Sequence, residues 1–321
     1  MKYIDMHCDT ITALFEKDGS LENNDLHVDL NKMENGECLL QNFAVFTDIA
    51  RQDHTFTDAA IAFYHKQLLE HKDRISPVLK YEDILKNEKA GHMNAMLTLE
   101  EGSVVGRDLD RLQWYYDQGV RMITLTWNYA NGIGHPNFEY KKDTYADILH
   151  TIDEKNGLTP FGIEYVRRME ELGIIVDVSH LSDKGFYDVL KYAKKPFVAS
   201  HSNARSICSV ARNLSDDMIR KLADAGGVMG LNYCSAFIEE KDDGYTSIEG
   251  MVRHIRHIVN VGGIDCVGLG SDFDGIGSRL EIENASGLPR LYEALKEYFS
   301  EEEIEKIFYR NVLRVYKEVL S

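Results

Sequence analysis

The chain has 321 residues, 44% of them hydrophobic, enough to bury one barrel-sized core or two smaller ones. Its 53 Asp and Glu against 36 Lys and Arg give a net charge of −17, which speaks against binding a phosphate backbone, so nucleic acid is not an expected partner. No apolar run of membrane-spanning length occurs, the N-terminus lacks the basic-then-apolar layout of a signal peptide, and the five scattered cysteines include no Cys-x-x-Cys. The expectation is a cytoplasmic protein with reduced thiols and no membrane contact.

The first element, Tyr3 to Met6, is a short apolar strand that runs into His7-Cys8-Asp9. His7 and Asp9 are two apart, so on an extended chain both point to the same side. An imidazole nitrogen beside a carboxylate suits a divalent ion such as zinc, while Cys8 points the other way. Strands are expected next at Glu37 to Phe46 and Asn94 to Leu99. A unit of amphipathic helix, glycine and short apolar strand then recurs. It reads as helix 108–118, Gly119, strand 120–126; helix 162–172, Gly173, strand 174–178; helix 216–225, Gly226-Gly227, strand 228–231; and helix 247–261, Gly262-Gly263, strand 266–270. Glycine just past a helix end is the usual C-cap.

With Pro196 to Ser200 the strands number eight. Their near-continuous apolar character fits a parallel sheet covered on both faces. Eight strands alternating with helices predict an α/β fold, a (β/α)8 TIM barrel; a doubly wound open sheet is the alternative. No Gly-x-Gly-x-x-Gly follows any strand, so the usual dinucleotide signature is missing. Residues 128–157 are expected to form a long lid or binding loop, and 288–298 and 302–320 closing helices. Five prolines and no Pro/Gly/Ser-rich linker predict a single domain over 1–321.

In such barrels chemistry collects where strands end. His7 and Asp9 end the first strand, Glu100 and Glu101 the third, His180 the fifth, His201 the sixth, and Asp272 and Asp274 the eighth. Each has a bland reading: a solvated carboxylate, a turn cap, a locally bonded polar strand end. Five coincidences at one end of the strands are improbable together. Three histidines with several carboxylates exceed one tetrahedral ion and suit two ions bridged by a carboxylate. Glu100 is the expected bridge, because it comes first off its strand and Glu101 should face away. His65, His71, His254 and His257 sit on helices and read as ordinary; His135 and His150 stay open.

The segments Asp5-x-His7-x-Asp9, Glu100-x-Gly102, Gly157-Leu158-Thr159-Pro160-Phe161-Gly162, His180, Ser200-His201-Ser202, Arg212-Asn213 and Asp272-Phe273-Asp274-Gly275 run in order along nearly the whole chain. This set resembles the membrane (renal-type) dipeptidase family, peptidase family M19, within the amidohydrolase-type metal-dependent barrels. The resemblance implies a metallo-dipeptidase with two divalent ions, most often zinc, that hydrolyses dipeptides through a metal-bridging hydroxide. It implies His7 and Asp9 on one ion, His180 and His201 on the other, and Glu100 between them. Arg212 would grip the substrate's C-terminal carboxylate, which suits its forked guanidinium. Asp272 would handle the protons of the attacking water. Animal members carry a signal peptide, a GPI anchor and disulfides, so the chain is closer in kind to the soluble microbial members. Where animal members have Thr-Leu-Thr-His, whose histidine helps bind substrate, this chain reads Thr124-Leu125-Thr126-Trp127, and an indole offers a single N–H donor.

Two rivals share parts of this reading. A lactonase or deaminase would keep barrel and metals but give Arg212 no carboxylate to hold. A non-catalytic metal-binding protein would have no use for Asp272 as a proton acceptor. A homodimer is left open, as are the preferred dipeptide and its stereochemistry.

Overall fold

The computed structural model describes residues 1–138, 149–240 and 243–320. Eight parallel strands close on themselves: β1 (Tyr3–Cys8), β2 (Cys38–Phe46), β3 (Met93–Glu100), β4 (Val120–Thr124), β5 (Ile175–Asp177), β6 (Val198–Ala199), β7 (Val228–Leu231) and β8 (Val267–Leu269). Each pairs with the next, and β8 returns to β1 through Asp5 opposite Leu269. This is the (β/α)8 barrel that the strand–helix rhythm predicts. All eight expected strands form, most of them trimmed or shifted by a residue or more. A short extra strand, Ile75–Pro77, adds to the outside of β3, and Tyr245–Thr246 pairs with Arg279–Leu280 beyond the barrel.

The apolar residues divide into two layers. Tyr3, Phe43, Val45 and Leu97 face outward against the helices, while Ile4, Met6, Leu40, Met96 and Met122 fill the barrel interior. Val312, Val315 and Tyr316 of the last helix close its floor, and Asn42 donates from inside the barrel to the Tyr316 hydroxyl at 2.7 Å. The floor is therefore sealed, and the opposite end is left for chemistry.

The helices start and stop as their caps dictate. Pro160–Leu172 opens on Thr159, whose hydroxyl accepts from Gly162 N at 2.9 Å, and ends on Gly173 at φ +78°. Gly162 is required for another reason: a Cβ there would lie 2.0 Å from the Ile133 carbonyl oxygen, so the loop after β4 could not pack on this helix. The helix expected over 302–320 is three pieces: Glu301–Glu305, a π turn at Lys306–Arg310, and Asn311–Val319. Asn311, where the π turn ends, donates to Ile264 O at 2.7 Å and Val267 O at 2.8 Å, which fixes the last helix beneath β8. Of the long loop expected at 128–157, residues 139–148 lie outside the described residues. Among the described residues no helix is long and apolar enough to cross a membrane.

Candidate metal centre and active site

Strand register places the site. Phe46 pairs with Glu100, Glu100 with Thr124 and Thr124 with Asp177, so four strands end on one level. Close approach brings the remaining strands to it. A Cβ on Gly230 or Gly270 would lie 2.0 or 1.7 Å from the Ser200 carbonyl oxygen, so only glycine lets β7 and β8 run this near the residue before His201.

All of the sequence-predicted cluster residues converge at this end. His7 Nε2 lies 3.5 Å from Asp9 Oδ2, 3.4 Å from Glu100 Oε2 and 3.9 Å from Asp272 Oδ1. Glu100 Oε1 faces the other way, 3.0 Å from His180 Nε2 and 3.7 Å from His201 Nε2. The two oxygens of one buried carboxylate thus serve different histidines. Arg212 lines the same cavity of about 240 Å3 together with Asp9, Glu100, His180 and Asp272. Arg212 is only 5% exposed, and the nearby carboxylates of Asp216 and Asp217 bond to His257 and Tyr187 instead of to it. The remaining histidines stay out: His254, for example, accepts from Ala204 N and donates to Ile238 O.

Backbone hydrogen bonds aim these side chains, and one device is used twice. Asp5 on β1 accepts from His7 N (3.2 Å), Ser271 N (2.8 Å) and Ser271 Oγ (2.6 Å), tying β1 to the loop that carries Asp272. Asp177 on β5 accepts from Ser179 N (3.0 Å), Ser200 N (2.8 Å) and Ser200 Oγ (2.6 Å), tying His180 to His201. Asn232 was not foreseen. Its Nδ2 donates to Asp272 Oδ2 at 2.8 Å and to His201 O at 3.2 Å. The signal available was its place directly after β7, but a neutral amide is not a ligand type.

Glu101 requires a correction. It faces away from the cluster as expected, yet it is fully buried rather than solvated. It accepts from Ser103 N at 3.0 Å, Trp127 N at 3.0 Å and Asn131 Nδ2 at 2.6 Å, and so holds the loop after β4. Glu101, His180, Asp272 and Asp274 have φ of +96°, +70°, +61° and +68°. Non-glycine residues in that region cost on the order of 1–3 kcal/mol each, and such strain persists where surrounding contacts over-determine it.

The donor set fits divalent cations. Ser200 Oγ has one proton and gives it to Asp177, so at 2.7 Å it accepts from His201 Nδ1. Asn128 Oδ1, 2.7 Å from His180 Nδ1, is likewise an acceptor. Both imidazoles therefore carry their proton on Nδ1, and both Nε2 atoms present lone pairs. These atoms stand 3.0 Å apart and both point at Glu100, which only a cation between them makes favourable. Burial, then the Arg212 charge, lowers the His180 pKa to about 4, and burial takes His201 well below its usual value, so neither supplies that charge as a proton. Burial raises Asp9 to about 8, helped by the charge of Glu100. Burial alone would also lower His7, but Glu100 and Asp9 outweigh it and hold His7 well above its ordinary value. His7 Nε2 and Asp9 Oδ1 are buried without a hydrogen-bond partner. Gly275 keeps space open over the carboxylates: a Cβ there would lie 2.1 Å from Asp9 Oδ2 and 2.6 Å from Asp272 Oδ1.

A closed (β/α)8 barrel with this histidine–carboxylate rim defines a metal-dependent hydrolase. The chain belongs to the membrane dipeptidase family, peptidase family M19, whose sequence profile matches residues 1–321. Among solved structures it is similar to a metallo peptidase from Rhodobacter sphaeroides liganded with a phosphinate mimic of the dipeptide L-Ala-D-Ala, with 25% identity, a TM-score of 0.87 and 99% of both chains covered. It is also similar to the family M19 metallo peptidase named dipeptidase AC, at 25% identity and a TM-score of 0.88 over 100% of this chain and 99% of the other. An uncharacterised protein of Klebsiella pneumoniae is 37% identical over 79% of this chain and 93% of its own length. An uncharacterised dipeptidase of Schizosaccharomyces pombe is 32% identical over 91% and 72%.

Proposed function

We propose that the chain is a dipeptidase that holds two divalent ions, zinc foremost, and that residues 1–321 act as one catalytic unit. The observation that carries this reading is one small cavity shared by the histidine–carboxylate cluster and a buried arginine. His7 and Asp9 would hold one ion, His180 and His201 the other, and the oppositely facing oxygens of Glu100 would join them. When bound, such a pair makes a water more acidic and supplies positive charge against a tetrahedral oxyanion.

The chain's own groups do the rest. Arg212 is anchored by donating from Nη1 to Ser202 Oγ and from Nη2 to His201 O, both at 3.3 Å, and its Nε is buried without a partner. It binds the carboxylate of a dipeptide's C-terminal residue, as neither a lactone nor a nucleobase could require. Asn232 holds Oδ2 of Asp272 and leaves Oδ1 toward the cluster. Burial raises the Asp272 pKa, with the charge of Glu100 adding to it and His7 opposing, which suits a group that must take up and release a proton. Asp272 accepts the proton of the attacking water and delivers it to the leaving amine. The family match and the dipeptide mimic bound by the Rhodobacter relative support the same substrate class.

The test is amino-acid release from a small dipeptide panel, measured with metal content on protein reconstituted with zinc. Close to two ions per chain, and release that a chelator abolishes and zinc restores, are expected. One ion or fewer after reconstitution contradicts the paired site; no release from any dipeptide contradicts the activity.

A further inference from the structure

Opposite Arg212 the cavity has a wall that the mechanism leaves unused. Phe46 ends β2, and Trp127 follows β4 by three residues. Their rings meet edge to face with centroids 4.7 Å apart, and both line the cavity. The Trp127 ring lies 6.4 Å from that of His180, so this corner borders the reacting centre. Both backbones are pinned from behind: Phe46 N donates to Thr12 Oγ1 at 3.0 Å, and Trp127 N to the buried Glu101 carboxylate at 3.0 Å. The wall is therefore preformed, with little to order on binding.

Position around the barrel decides what meets it. Arg212 lies in the loop after β6, its guanidinium 5.4 Å from the Phe237 ring in the loop after β7. Phe46 and Trp127 follow β2 and β4 and so flank Glu100 at the end of β3, with His180 after β5 standing between them and the β6 side. A dipeptide whose carboxylate is held at Arg212 and whose peptide bond lies over the cluster directs its N-terminal residue to the β2–β4 side. We propose that Phe46 and Trp127 form the subsite for the N-terminal side chain, and that they select dipeptides beginning with a bulky apolar or aromatic residue. An aromatic side chain there packs against two ring faces or edges, whereas glycine leaves the corner empty and a carboxylate would be desolvated beside Asp9 and Glu100.

The inference rests on the dipeptidase reading, and one experiment separates the two. Zinc-reconstituted wild type, Trp127→Ala, Phe46→Ala and Trp127→Phe are compared on Phe-Gly, Leu-Gly, Gly-Gly and Asp-Gly. Wild type should favour Phe-Gly and Leu-Gly over Gly-Gly by about tenfold to a hundredfold in kcat/KM, with Asp-Gly the poorest. Either alanine variant should bring the Phe-Gly to Gly-Gly ratio close to one, and Trp127→Phe should keep most of it. A purely structural role would lower every substrate together and leave the ratio unchanged. Cleavage of the panel without side-chain preference by wild type overturns the subsite alone, even if no variant folds. No cleavage of any dipeptide by the reconstituted wild type overturns the activity and the subsite with it.

Discussion

At the scale of single residues, the site is governed by which atoms carry protons. Ser200 and Asn128 accept from the Nδ1 atoms of His201 and His180, so each leaves its Nε2 free for a cation. Asp272 differs from the other carboxylates in having one oxygen tied to Asn232 and the other directed at the cluster. Asp272→Asn keeps the volume and the contact to Asn232 but cannot take a proton at neutral pH. Turnover should fall by about 10²–10⁴-fold with bound metal little changed; a variant with near-normal turnover would remove Asp272 from proton transfer. That His7, Asp9, Glu100, His180, His201 and Asp272 meet at one end of the barrel was legible in the sequence, because strand-end placement is a rule about order along the chain. Asn232 and Glu101 were not. The importance of Asn232 comes from a hydrogen bond across 40 positions, and the burial of Glu101 depends on Trp127 and Asn131 folding back over it.

Between strands and loops, the frame relies on a repeated tie. Asp5 and Asp177 each sit on a strand, precede a site histidine by two or three residues, and bind the serine that precedes a site residue on another segment, Ser271 before Asp272 and Ser200 before His201. This explains why β6 is only Val198–Ala199 although an apolar run from Pro196 predicts a longer strand. Pro196 has no N–H to donate, and Ser200 N and Oγ are engaged by Asp177 instead of a strand ladder. Glu101 is the corresponding tie for the loop after β4, which carries both Trp127 and Asn128. Glu101→Ala leaves three donors without their acceptor and should destabilise the metal-loaded protein by about 2–4 kcal/mol. It should also lower kcat/KM, since Asn128 orients His180. Urea unfolding with zinc present checks this, and a change below about 0.5 kcal/mol, typical of an indifferent surface position, would show that the loop does not depend on the carboxylate.

At the scale of the whole molecule, the barrel separates stability from chemistry. Its lower end is plugged by the C-terminal helix, and its upper end gathers groups that are costly to bury without a cation. The architecture was readable because eight strands and the glycines that stop helices recur in order, whereas the π turn in the last helix and the small outer strands have no periodic signature. The proposed reading has the cluster act on the peptide bond, and the arginine on the C-terminal carboxylate, of one bound dipeptide. It is tested most directly by kcat/KM of wild type and Arg212→Ala on a dipeptide and on the same dipeptide as its C-terminal amide. A charge-assisted, two-pronged contact contributes roughly 1.5–3 kcal/mol, so the dipeptide should lose about tenfold to a few hundredfold on mutation. The amide should be a poor substrate of the wild type and should hardly respond to the mutation. Equal losses for dipeptide and amide would contradict the account and leave Arg212 a structural residue of the loop after β6.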